Sequence, residues 1–408
     1  MPRINGLGVK KPQARVAVVA AGVVSPLGFG LSETLAALKT NKDCVSPVTA
    51  FEVTQCRCKT AGQVSDHHLN EQLDGRKDRR LHRASRMMVA ALGELRTQER
   101  EFKPELTIIG TTSGGMSFGQ DYYRALHRHC GLRRSPQWIA NYPPQKPVVD
   151  AQEAFGISAP CQIIANACAS GTNAIGHAFE CVRSGNYQRV LTGGYDALSE
   201  LVFVGFDSLQ ASTPEKCRPF DRDRSGMVLG EGAAVLALEN LESASARGAR
   251  IMAEIIGYGI STDNYHLTQP DPSGSGPRRA MERALLSADC SADDVDYINA
   301  HGTATIFNDA AEGEAIRELF GQVSVSSTKS MIGHSLGAAG AIEAVVCLLA
   351  LQAQLLPANI NSRNPDENLK LNIVGNESRA AKIDIVLSNS FGFGGTNASV
   401  LIQKATTI

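Results

Sequence analysis

Cys168-Ala-Ser-Gly-Thr-Asn-Ala-Ile-Gly176 recurs in pattern further along the chain as His334-Ser-Leu-Gly-Ala-Ala-Gly-Ala-Ile342. The alignment matches Gly171 to Gly337 and places a cysteine and a histidine at the same position of the repeat. Both stretches are rich in Gly and Ala, which is typical of helices whose backbones pack close to a neighbour. The repeat therefore predicts two copies of one half-fold, with a thiol and an imidazole on opposite sides of a pseudo-twofold axis.

Apolar runs of strand character recur in the same order around both stretches. In the first half they cover residues 16–24, 106–110, 161–165, 189–193 and 233–239, and in the second half 251–257, 295–300, 323–327, 383–387 and 399–403. Helical patterns lie between them at 30–38, 85–95, 276–288 and 310–319. Continuous apolar runs indicate strands that are covered on both faces. We expect an α/β protein with two duplicated halves, residues 1–248 and 249–408, packed as one body.

Composition argues against several classes of function. The 408 residues contain 40 Lys+Arg and 41 Asp+Glu, so the net charge of −1 does not indicate binding to nucleic acid or an anionic membrane. The ten cysteines include no Cys-x-x-Cys pair, so neither a zinc ribbon nor a thioredoxin motif is present. Unclustered cysteines in a long chain favour reduced thiols in the cytoplasm.

Two apolar stretches imitate membrane signals. Residues 16–24 follow two lysines in the manner of a secretory signal, and residues 338–356 approach the length of a bilayer span. The β-branched character of the first stretch favours a buried strand. The second stretch contains Glu343 and two glutamines, so we expect a buried central helix rather than a span.

Cys168 is the candidate nucleophile. A thiol at the N-terminus of a helix feels the positive end of the helix dipole, and the free backbone N–H groups there bind a thiolate or an oxyanion. The alternative is an inert buried cysteine, which is the commoner state of a cysteine in apolar surroundings. The flanking motifs favour the nucleophile.

Four motifs carry the residues that chemistry would need. They are Asn166-Ala-Cys168-Ala-Ser-Gly171, Asn299-Ala-His301-Gly-Thr303-Ala-Thr305, Ser327-Thr-Lys329-Ser-Met-Ile-Gly-His334 and Asn389-Ser-Phe391-Gly-Phe393-Gly-Gly-Thr-Asn397. Two more are Cys217-Arg-Pro-Phe-Asp221 and Val228-Leu-Gly-Glu-Gly232. Together they resemble the β-ketoacyl-[acyl carrier protein] synthases of the type II elongating branch, over nearly the whole chain. The resemblance implies a thiolase-like fold with a layered αβαβα core, no cofactor and a homodimer.

The resemblance also implies the roles of the central residues. Cys168 would take the acyl group from an acyl carrier protein. His301 and His334 would donate from Nε2 to the enolate that forms when a malonyl thioester loses carbon dioxide. Phe393 would gate the acyl pocket, and its N–H would join that of Cys168 in an oxyanion hole. The substrate would also contact Thr303, Thr305, Phe391, Ser113 and Asn397.

Lys329 and Glu343 are expected to form an ion pair. Glu343 lies in an apolar helical stretch, where an unpaired charge would be costly. The pair has a structural reading and a mechanistic reading, and the two are compatible. We expect no metal at His301 and His334, since no third ligand stands at ligand spacing from them in the sequence.

Three departures from the family pattern bear on the acyl substrate. Ile306 stands where the family usually has proline, Ser335 follows His334 where a bulky apolar residue is common, and Ser113 replaces a branched apolar residue. We therefore expect Ser113 to widen the acyl pocket. The insertion at about 115–155 forms much of the dimer contact and the pocket cap in the family. Around residues 142–146 it also departs from the family's usual sequence.

The expected reaction is a decarboxylative condensation between an acyl group on Cys168 and malonyl-[acyl carrier protein]. For docking of the acidic carrier, the basic run at residues 76–83, with Arg79 and Arg80, is one hypothesis. Another surface contains Arg124, Arg128, Arg133 and Arg134. A solvated helix face without a partner is the third reading of the basic run.

Two other classes of protein stay open as alternatives. One is a non-catalytic chain-length subunit, although such partners lack the nucleophilic cysteine that Cys168 supplies. If this chain needs such a subunit as a partner, this chain would be the active member of the heterodimer. The other is a thiolase-like or polyketide-type enzyme that uses coenzyme A, but thiolases use two cysteines rather than a Cys-His-His set.

Overall fold

The main sheet contains two halves of five principal strands each, and two further short strands, in the computed structural model, which describes residues 13–71, 81–128 and 141–405. The first half comprises β1 (Val16–Ser25), β2 (Leu106–Gly110), β3 (Cys161–Ile164), β4 (Arg189–Asp196) and β5 (Gly232–Asn240). The second half comprises β6 (Ala253–Thr262), β7 (Tyr297–Asn299), β8 (Ser324–Ser326), β9 (Ile385–Gly392) and β10 (Thr396–Lys404). Short strands lie at Gly28–Phe29, Val45–Pro47, Thr60–Gly62, Leu355–Leu356, Asn372–Ile373 and Arg379–Ala380.

The two halves have the same topology. The strand order is β3-β2-β4-β5-β1 in the first half and β8-β7-β9-β10-β6 in the second. In each half the first two neighbouring pairs are parallel and the last two are antiparallel. β1 and β6 pair antiparallel at the join, with Val16 opposite Ile255. This repeated order confirms the duplicated half-fold that the matching stretches predict.

Twelve α-helices surround and separate the two half-sheets in the described ranges. They are α1 (Gly30–Lys39), α2 (Asp66–Glu71), α3 (Arg83–Gln98), α4 (Met116–His127), α5 (Lys146–Ala154), α6 (Ser170–Arg183), α7 (Glu200–Ser208), α8 (Leu241–Ala246), α9 (Ser275–Ala288), α10 (Ile306–Phe320), α11 (Lys329–Ile332) and α12 (Ala339–Ala353). Single 3-10 turns lie at Ala292–Asp294, Leu336–Ala338 and Glu367–Leu369.

The helices and half-sheets stack as five layers. The central layer is α6 and α12, whose side chains share one core with residues from both half-sheets, including Val18 and Val400. The opposite face of the first half-sheet packs on α3 and α5. The opposite face of the second half-sheet packs on α9 and α10. The layered αβαβα architecture expected from the sequence is confirmed.

The central helices approach one another at their glycines. A Cβ atom on Gly171 would lie 2.7 Å from the carbonyl oxygen of Gly337, and one on Gly340 would lie 2.0 Å from Thr172 Oγ1. Only glycine allows this close backbone contact. The contact brings the N-terminal ends of α6 and α12 together, and these ends follow Cys168 and His334.

The apolar stretch that imitates a membrane span is the core helix. Leu336–Ala353 is long and apolar enough to cross a bilayer, but 89% of it is buried inside the protein. The other stretch that imitates a membrane signal, at residues 16–24, lies within the fully buried strand β1. Both segments therefore serve the core, as predicted.

Candidate active site

Cys168 lies between the end of β3 and the start of α6. The preceding residue, Ala167, has φ of 56°, a left-handed conformation that non-glycine residues rarely adopt. This turn points the side chain of Cys168 into a cavity that also contains His301, His334 and Phe393. The residue is 6% exposed, so its thiol is accessible mainly from the cavity.

The cysteine and two histidines converge from three loops. His301 follows β7, and His334 follows β8 and precedes the turn into α12. The Cys168 sulfur and one ring nitrogen from each histidine all lie within 4.8 Å of one another. The two imidazoles meet edge to face, with ring centroids 5.2 Å apart.

This convergence corrects one argument from the sequence. Cys168 is a third potential metal ligand beside His301 and His334 in space, although no third ligand stands near them in the sequence. The spacing rule failed because the three residues come from different strand ends. The donor set thus has the composition of a metal site as well as that of a nucleophilic site.

His334 is held in one tautomer. The backbone N–H of Leu336 donates to its Nδ1 at 3.3 Å, so the neutral ring carries its proton on Nε2. Nε2 is buried and has no hydrogen-bond partner in the described part of the chain. The backbone of His334 is fixed to the strand-like Val228–Gly230 segment by bonds of 2.7 Å to the Val228 carbonyl and 2.8 Å from the Gly230 N–H. A rigid N–H donor therefore faces the cavity.

His301 is fixed through its backbone by a buried carboxylate. Glu312, on α10, accepts the N–H groups of His301 and Gly302, each at 2.8 Å. Asn389 donates to the same carboxylate at 3.2 Å. Burial raises the pKa of Glu312 to about 7, against the lowering effect of these donors. Glu312 thus sets the position of the His301 ring without touching it.

Both imidazoles are neutral near neutral pH. Burial lowers the pKa of His301 and of His334 well below the usual value, and the charge of Lys329 lowers them further. They can therefore donate hydrogen bonds without carrying a charge. A neutral ring can also accept a proton from Cys168.

The resting state of Cys168 differs from the expectation based on the helix dipole. Burial raises the pKa of the Cys168 thiol to about 12, although Lys329 and the backbone N–H groups of Phe393 and Cys168 act in the opposite direction. The prediction that the helix end favours a thiolate was wrong, because desolvation raises the pKa of Cys168 more than the N–H donors lower it. The resting nucleophile is the thiol.

Lys329 and Glu343 form the expected ion pair. Lys329 Nζ donates to Glu343 Oε1, and both side chains are buried. Burial raises the pKa of Glu343 to about 7, opposed by Lys329. Because Lys329 also lowers the pKa values of both histidines and of Cys168, the pair places a positive charge beneath the site.

Ser113 does not line the cavity that contains Cys168, contrary to the sequence prediction. Its hydroxyl donates to Asp196 at 2.5 Å and its N–H donates at 2.8 Å. A serine hydroxyl next to a buried carboxylate turns toward it rather than toward a pocket. Ser113 is therefore part of a polar network at the ends of β2 and β4.

Asp196 joins the two halves behind the nucleophile. It accepts the N–H groups of Thr112 and Ser113 from the first half and that of Gly337, at 2.7 Å, from the second. The residue is fully buried, and burial raises its pKa. The carboxylate thereby holds the turn before α12 against the loop after β2.

The glycine-rich segment at the end of β9 contains the predicted gate. The ring of Phe393 rests on Phe206 of α7, with centroids 5.5 Å apart, and Phe391 packs against His301 at 5.9 Å. Gly394 donates its N–H to the Leu267 carbonyl at 2.7 Å. Asn397 lines the same cavity as Cys168, and its Nδ2 donates to Asp263 at 2.6 Å. These contacts join the gate segment to a second loop at the cavity mouth.

Thr303 and Thr305 line the route from the mouth to the histidines. Their hydroxyls share a hydrogen bond of 2.9 Å, and both residues lie in the cavity wall. Ala304 between them has φ of 65°. Its N–H donates to buried Asp309 at 3.2 Å, which fixes this unusual turn.

The proposed basic docking run is only partly described. Arg79 and Arg80 lie outside the described residues, as do Arg133 and Arg134. Arg83 pairs with buried Glu231 and with Asp66, so it serves the interior. Arg86 donates to Asn70 at 2.6 Å, and Arg124 pairs with Glu200.

Three residues of the site escaped the sequence argument. Asp196 follows the predicted strand at 189–193, where a lone carboxylate after an apolar run is the signal that marks it. Glu312 lies within a predicted helix between Asp309 and Glu314, so the sequence did not single it out. Phe206 carried no signal, since an aromatic residue in an apolar helix is usually part of the core.

The fold and the Cys-His-His cluster define a thiolase-like condensing enzyme, and comparison with known proteins gives the family. The Beta-ketoacyl synthase, N-terminal domain family matches residues 13–244, and the Beta-ketoacyl synthase, C-terminal domain family matches residues 252–363. The chain belongs to the β-ketoacyl synthase family.

Curated relatives and solved structures agree with this assignment. The chain is 37% identical to 3-oxoacyl-[acyl-carrier-protein] synthase 2 of Synechocystis sp. and 38% identical to that of Coxiella burnetii, covering 96% of this chain and 98% of each relative. The ishigamide ketosynthase/chain length factor matches with TM-score 0.89 and 32% identity over 97% of this chain and all of that one. A Beta-ketoacyl synthase from Burkholderia phymatum matches with TM-score 0.87 and 31% identity, covering 96% and 100%.

Proposed function

We propose that the protein catalyses the decarboxylative condensation of an acyl group on Cys168 with malonyl-[acyl carrier protein]. The carrying observation is the convergence of the Cys168 sulfur with ring nitrogens of His301 and His334 within 4.8 Å, beside a buried Nε2–H that lacks a partner among described residues. The products are β-ketoacyl-[acyl carrier protein], carbon dioxide and the free thiol. No cofactor takes part in this scheme.

The first step transfers the acyl group. The Cys168 sulfur attacks the carrier thioester, and the N–H groups of Phe393 and Cys168 stabilise the oxyanion. Because the resting group is a thiol, its proton must leave as the new bond forms. That proton passes to the departing carrier thiolate. The carrier leaves as its free thiol.

The second step forms the carbon–carbon bond. The malonyl thioester oxygen lies against Nε2–H of His334 and the ring of His301, and loss of carbon dioxide leaves an enolate on that oxygen. The enolate carbon attacks the acyl group on Cys168, whose sulfur leaves and regains a proton. Neutral donors suit this step, since a charged imidazolium would instead protonate the enolate.

The carrier protein is the proposed partner, and the cytoplasm is the proposed location. The curated relatives are named for the acyl carrier protein. We also propose a homodimer contact on the surface between α4 and α7, where Tyr123, Tyr142 and Leu201 are 66%, 49% and 60% exposed. Lone exposed apolar side chains are ordinary, but a cluster marks a contact surface.

A specialised pathway with a chain-length partner is the second candidate. It is favoured by the similarity to the ishigamide ketosynthase/chain length factor. Light scattering on the purified chain distinguishes the two, because an active homodimer needs no partner. A monomer that gains activity only with a related subunit would support the second candidate.

Intact-mass spectrometry tests the proposed function directly. The wild-type protein incubated with acyl-[acyl carrier protein] should gain one acyl mass, and the Cys168→Ala variant should gain none. Added malonyl-[acyl carrier protein] should then remove that mass and release carbon dioxide. Wild-type condensation by Cys168→Ala would refute the assignment.

A further inference from the structure

One buried carboxylate lies between the loop beside the nucleophile and the turn beside the second histidine. Asp196 is the last residue of β4, and its five donors among the described residues are neutral N–H and O–H groups. Its Oδ1 accepts the Thr111 hydroxyl at 2.9 Å and both donors of Ser113. Its Oδ2 accepts the N–H groups of Thr112, at 2.8 Å, and of Gly337, at 2.7 Å. The Oδ2 atom therefore ties a loop of the first half to a turn of the second half.

The bond from Gly337 reaches His334 through a strained turn. Gly337 is the middle residue of the 3-10 turn Leu336–Ala338, which begins two residues after His334. Leu336 has φ of 54°, a left-handed conformation that a leucine keeps only where its surroundings fix it. The N–H of Leu336 is the donor to His334 Nδ1 at 3.3 Å. By holding Gly337, the carboxylate thus fixes the turn whose N–H orients the His334 ring.

The bond from Thr112 reaches Cys168 in a similar way. The Thr112 hydroxyl donates to the carbonyl of Ala167 at 3.0 Å, and Ala167 is the left-handed residue immediately before Cys168. The N–H of Ser170 donates to the same carbonyl at 3.1 Å. One carboxylate oxygen is therefore connected to the strained turn before the nucleophile and to the strained turn after the histidine.

The loop and the turn touch at Gly337. A Cβ atom on Gly337 would lie 2.5 Å from the Thr112 nitrogen and 2.7 Å from Asp196 Oδ2. Only glycine allows this approach, since a backbone atom cannot rotate away. Close-packed interiors transmit displacements, so a change at Asp196 would move both turns.

We propose that Asp196 is a positioning residue that sets the spacing between the Cys168 sulfur and His334 Nε2. This inference rests on the proposed function, in which the enolate forms beside His334 and attacks the acyl group on Cys168. Acyl transfer needs only the nucleophile and its oxyanion hole, and decarboxylation needs only the histidine donors. Carbon–carbon bond formation needs both at one fixed separation, and a misplacement of about 1 Å can cost on the order of 10²-fold in rate.

A wrong separation would divert the enolate. Malonyl-[acyl carrier protein] would still lose carbon dioxide, but the enolate carbon would take a proton from water instead of attacking the acyl group. The product would be acetyl-[acyl carrier protein], and the acyl group would stay on Cys168. Because each carbon dioxide gives either the β-ketoacyl or the acetyl product, the ratio of these two products measures the coupling that Asp196 provides.

Three variants test this coupling. Asp196→Ala removes the acceptor, and Thr112→Val removes only the hydroxyl that binds the Ala167 carbonyl, at an exposed position. Asp196→Asn removes the charge but keeps an oxygen that can face the N–H groups of Thr112 and Gly337. Intact mass follows acylation of each protein, and mass spectrometry of the carrier then gives the product ratio after malonyl-[acyl carrier protein] is added.

The ratio of β-ketoacyl to acetyl product should fall at least about tenfold in Asp196→Ala and about threefold in Thr112→Val. The rate of acylation should change less than the ratio in both. Asp196→Asn should keep a ratio close to that of the wild type, since position rather than charge is the proposed cause.

Glu94→Ala is the matched control. Glu94, on α3, also holds the backbone N–H groups of two separate segments, that of Val23 at 2.9 Å and that of Leu31 at 2.6 Å. It lies outside the lining of the catalytic cavity. This variant should lower the melting temperature and leave the product ratio unchanged.

Several results would overturn the proposal. An unchanged ratio in Asp196→Ala would show that other contacts set the spacing, and Thr112→Val decides the same point if Asp196→Ala does not fold. Equal losses in Asp196→Asn and Asp196→Ala would assign the effect to charge, and an equal loss in Glu94→Ala would assign it to stability. Wild-type protein that gains no acyl mass and gives neither product would instead refute the proposed function, and the inference with it.

Discussion

At the scale of single residues, the site combines a protonated thiol with two neutral imidazoles. Burial sets all three protonation states, since it raises the pKa of Cys168 and lowers those of His301 and His334. Lys329 lowers all three pKa values and so acts on the site as a whole. The thiol nucleophile and the two imidazole donors can therefore act in their different steps at the same pH.

The first prediction separates these two tasks. His301→Ala or His334→Ala should reduce condensation by about 10²- to 10³-fold, because each removes one enolate donor. Acylation of Cys168 should persist, since its oxyanion binds the N–H groups of Phe393 and Cys168. Intact mass and carbon dioxide release measure the two steps separately. A variant that loses acylation and condensation equally would show that the histidine acts in the first step.

The second prediction concerns Glu312 and pH. The pKa of Glu312 is about 7 in the folded protein, against 4.5 for an ordinary glutamate, so between these values the folded state keeps a proton that the unfolded chain releases. Stability should therefore fall as pH rises from 4.5 to 7, by on the order of 3 kcal/mol from this group. Urea unfolding at several pH values should show a weaker pH dependence for Glu312→Gln than for wild type.

The control for this prediction is Glu377→Gln, at an exposed carboxylate. It should follow the wild-type pH dependence throughout. If Glu312→Gln also follows it, then Glu312 ionises in the folded protein much as it does in the unfolded chain. Burial would in that case be offset by the donated N–H groups of His301 and Gly302.

Motif residues were predictable, but their environments were not. Cys168, His301 and His334 lie in sequence motifs that are specific enough to identify the family. The Lys329–Glu343 pair follows from the cost of a buried charge. The orientation of Ser113 could not be predicted, because it depends on Asp196 at the end of a different strand. The pKa of Cys168 depends on burial, which a local pattern does not report.

At the scale of elements, the positions of the strands could be predicted from the apolar runs in the sequence. All ten predicted runs overlap strands of the two half-sheets, because a strand buried on both faces leaves a continuous apolar signature. The ends differ by several residues, as with β9, which continues to Gly392 into the gate segment. Polar and glycine residues there gave no strand signal, since the ladder with β10 decides the pairing.

The third prediction tests the contact between the central helices. Gly171→Ala should destabilise the fold by about 1–3 kcal/mol or more, because the new Cβ would lie 2.7 Å from the Gly337 carbonyl oxygen and 2.9 Å from the Ala341 nitrogen. Both obstacles are backbone atoms, so no side chain can rotate away. Thermal and urea unfolding measure the change.

Gly205→Ala is the matched control for this contact. Gly205 is also helical, but its added Cβ would meet nothing within 4 Å. Stability should be unchanged or higher, since alanine is the better helix former. If Gly171→Ala proved equally neutral, the two central helices would be free to separate, and the duplication would not depend on their close contact.

At the scale of the whole molecule, the two halves are bound together in several layers. The largest core cluster takes side chains from both, including Ile175 on α6 and Ile342 on α12. Arg15 pairs with Glu254 across the junction of β1 and β6. The catalytic set is divided in the same way, because Cys168 belongs to the first half and both histidines to the second.

The fourth prediction follows from this shared core. We propose a boundary near Gly248, and we expect residues 13–248 and 249–405 not to fold when expressed apart, since each would expose one side of the central layer to water. The intact chain should unfold in one cooperative transition. Circular dichroism gives the transition, and alkylation of the fully buried Cys347 on α12 reports the opening of the core. Half-buried Cys290 should react before unfolding and serve as the control. Two separate transitions, or labelling of Cys347 while the circular dichroism is unchanged, would show instead that the halves are independent domains that meet only at the site.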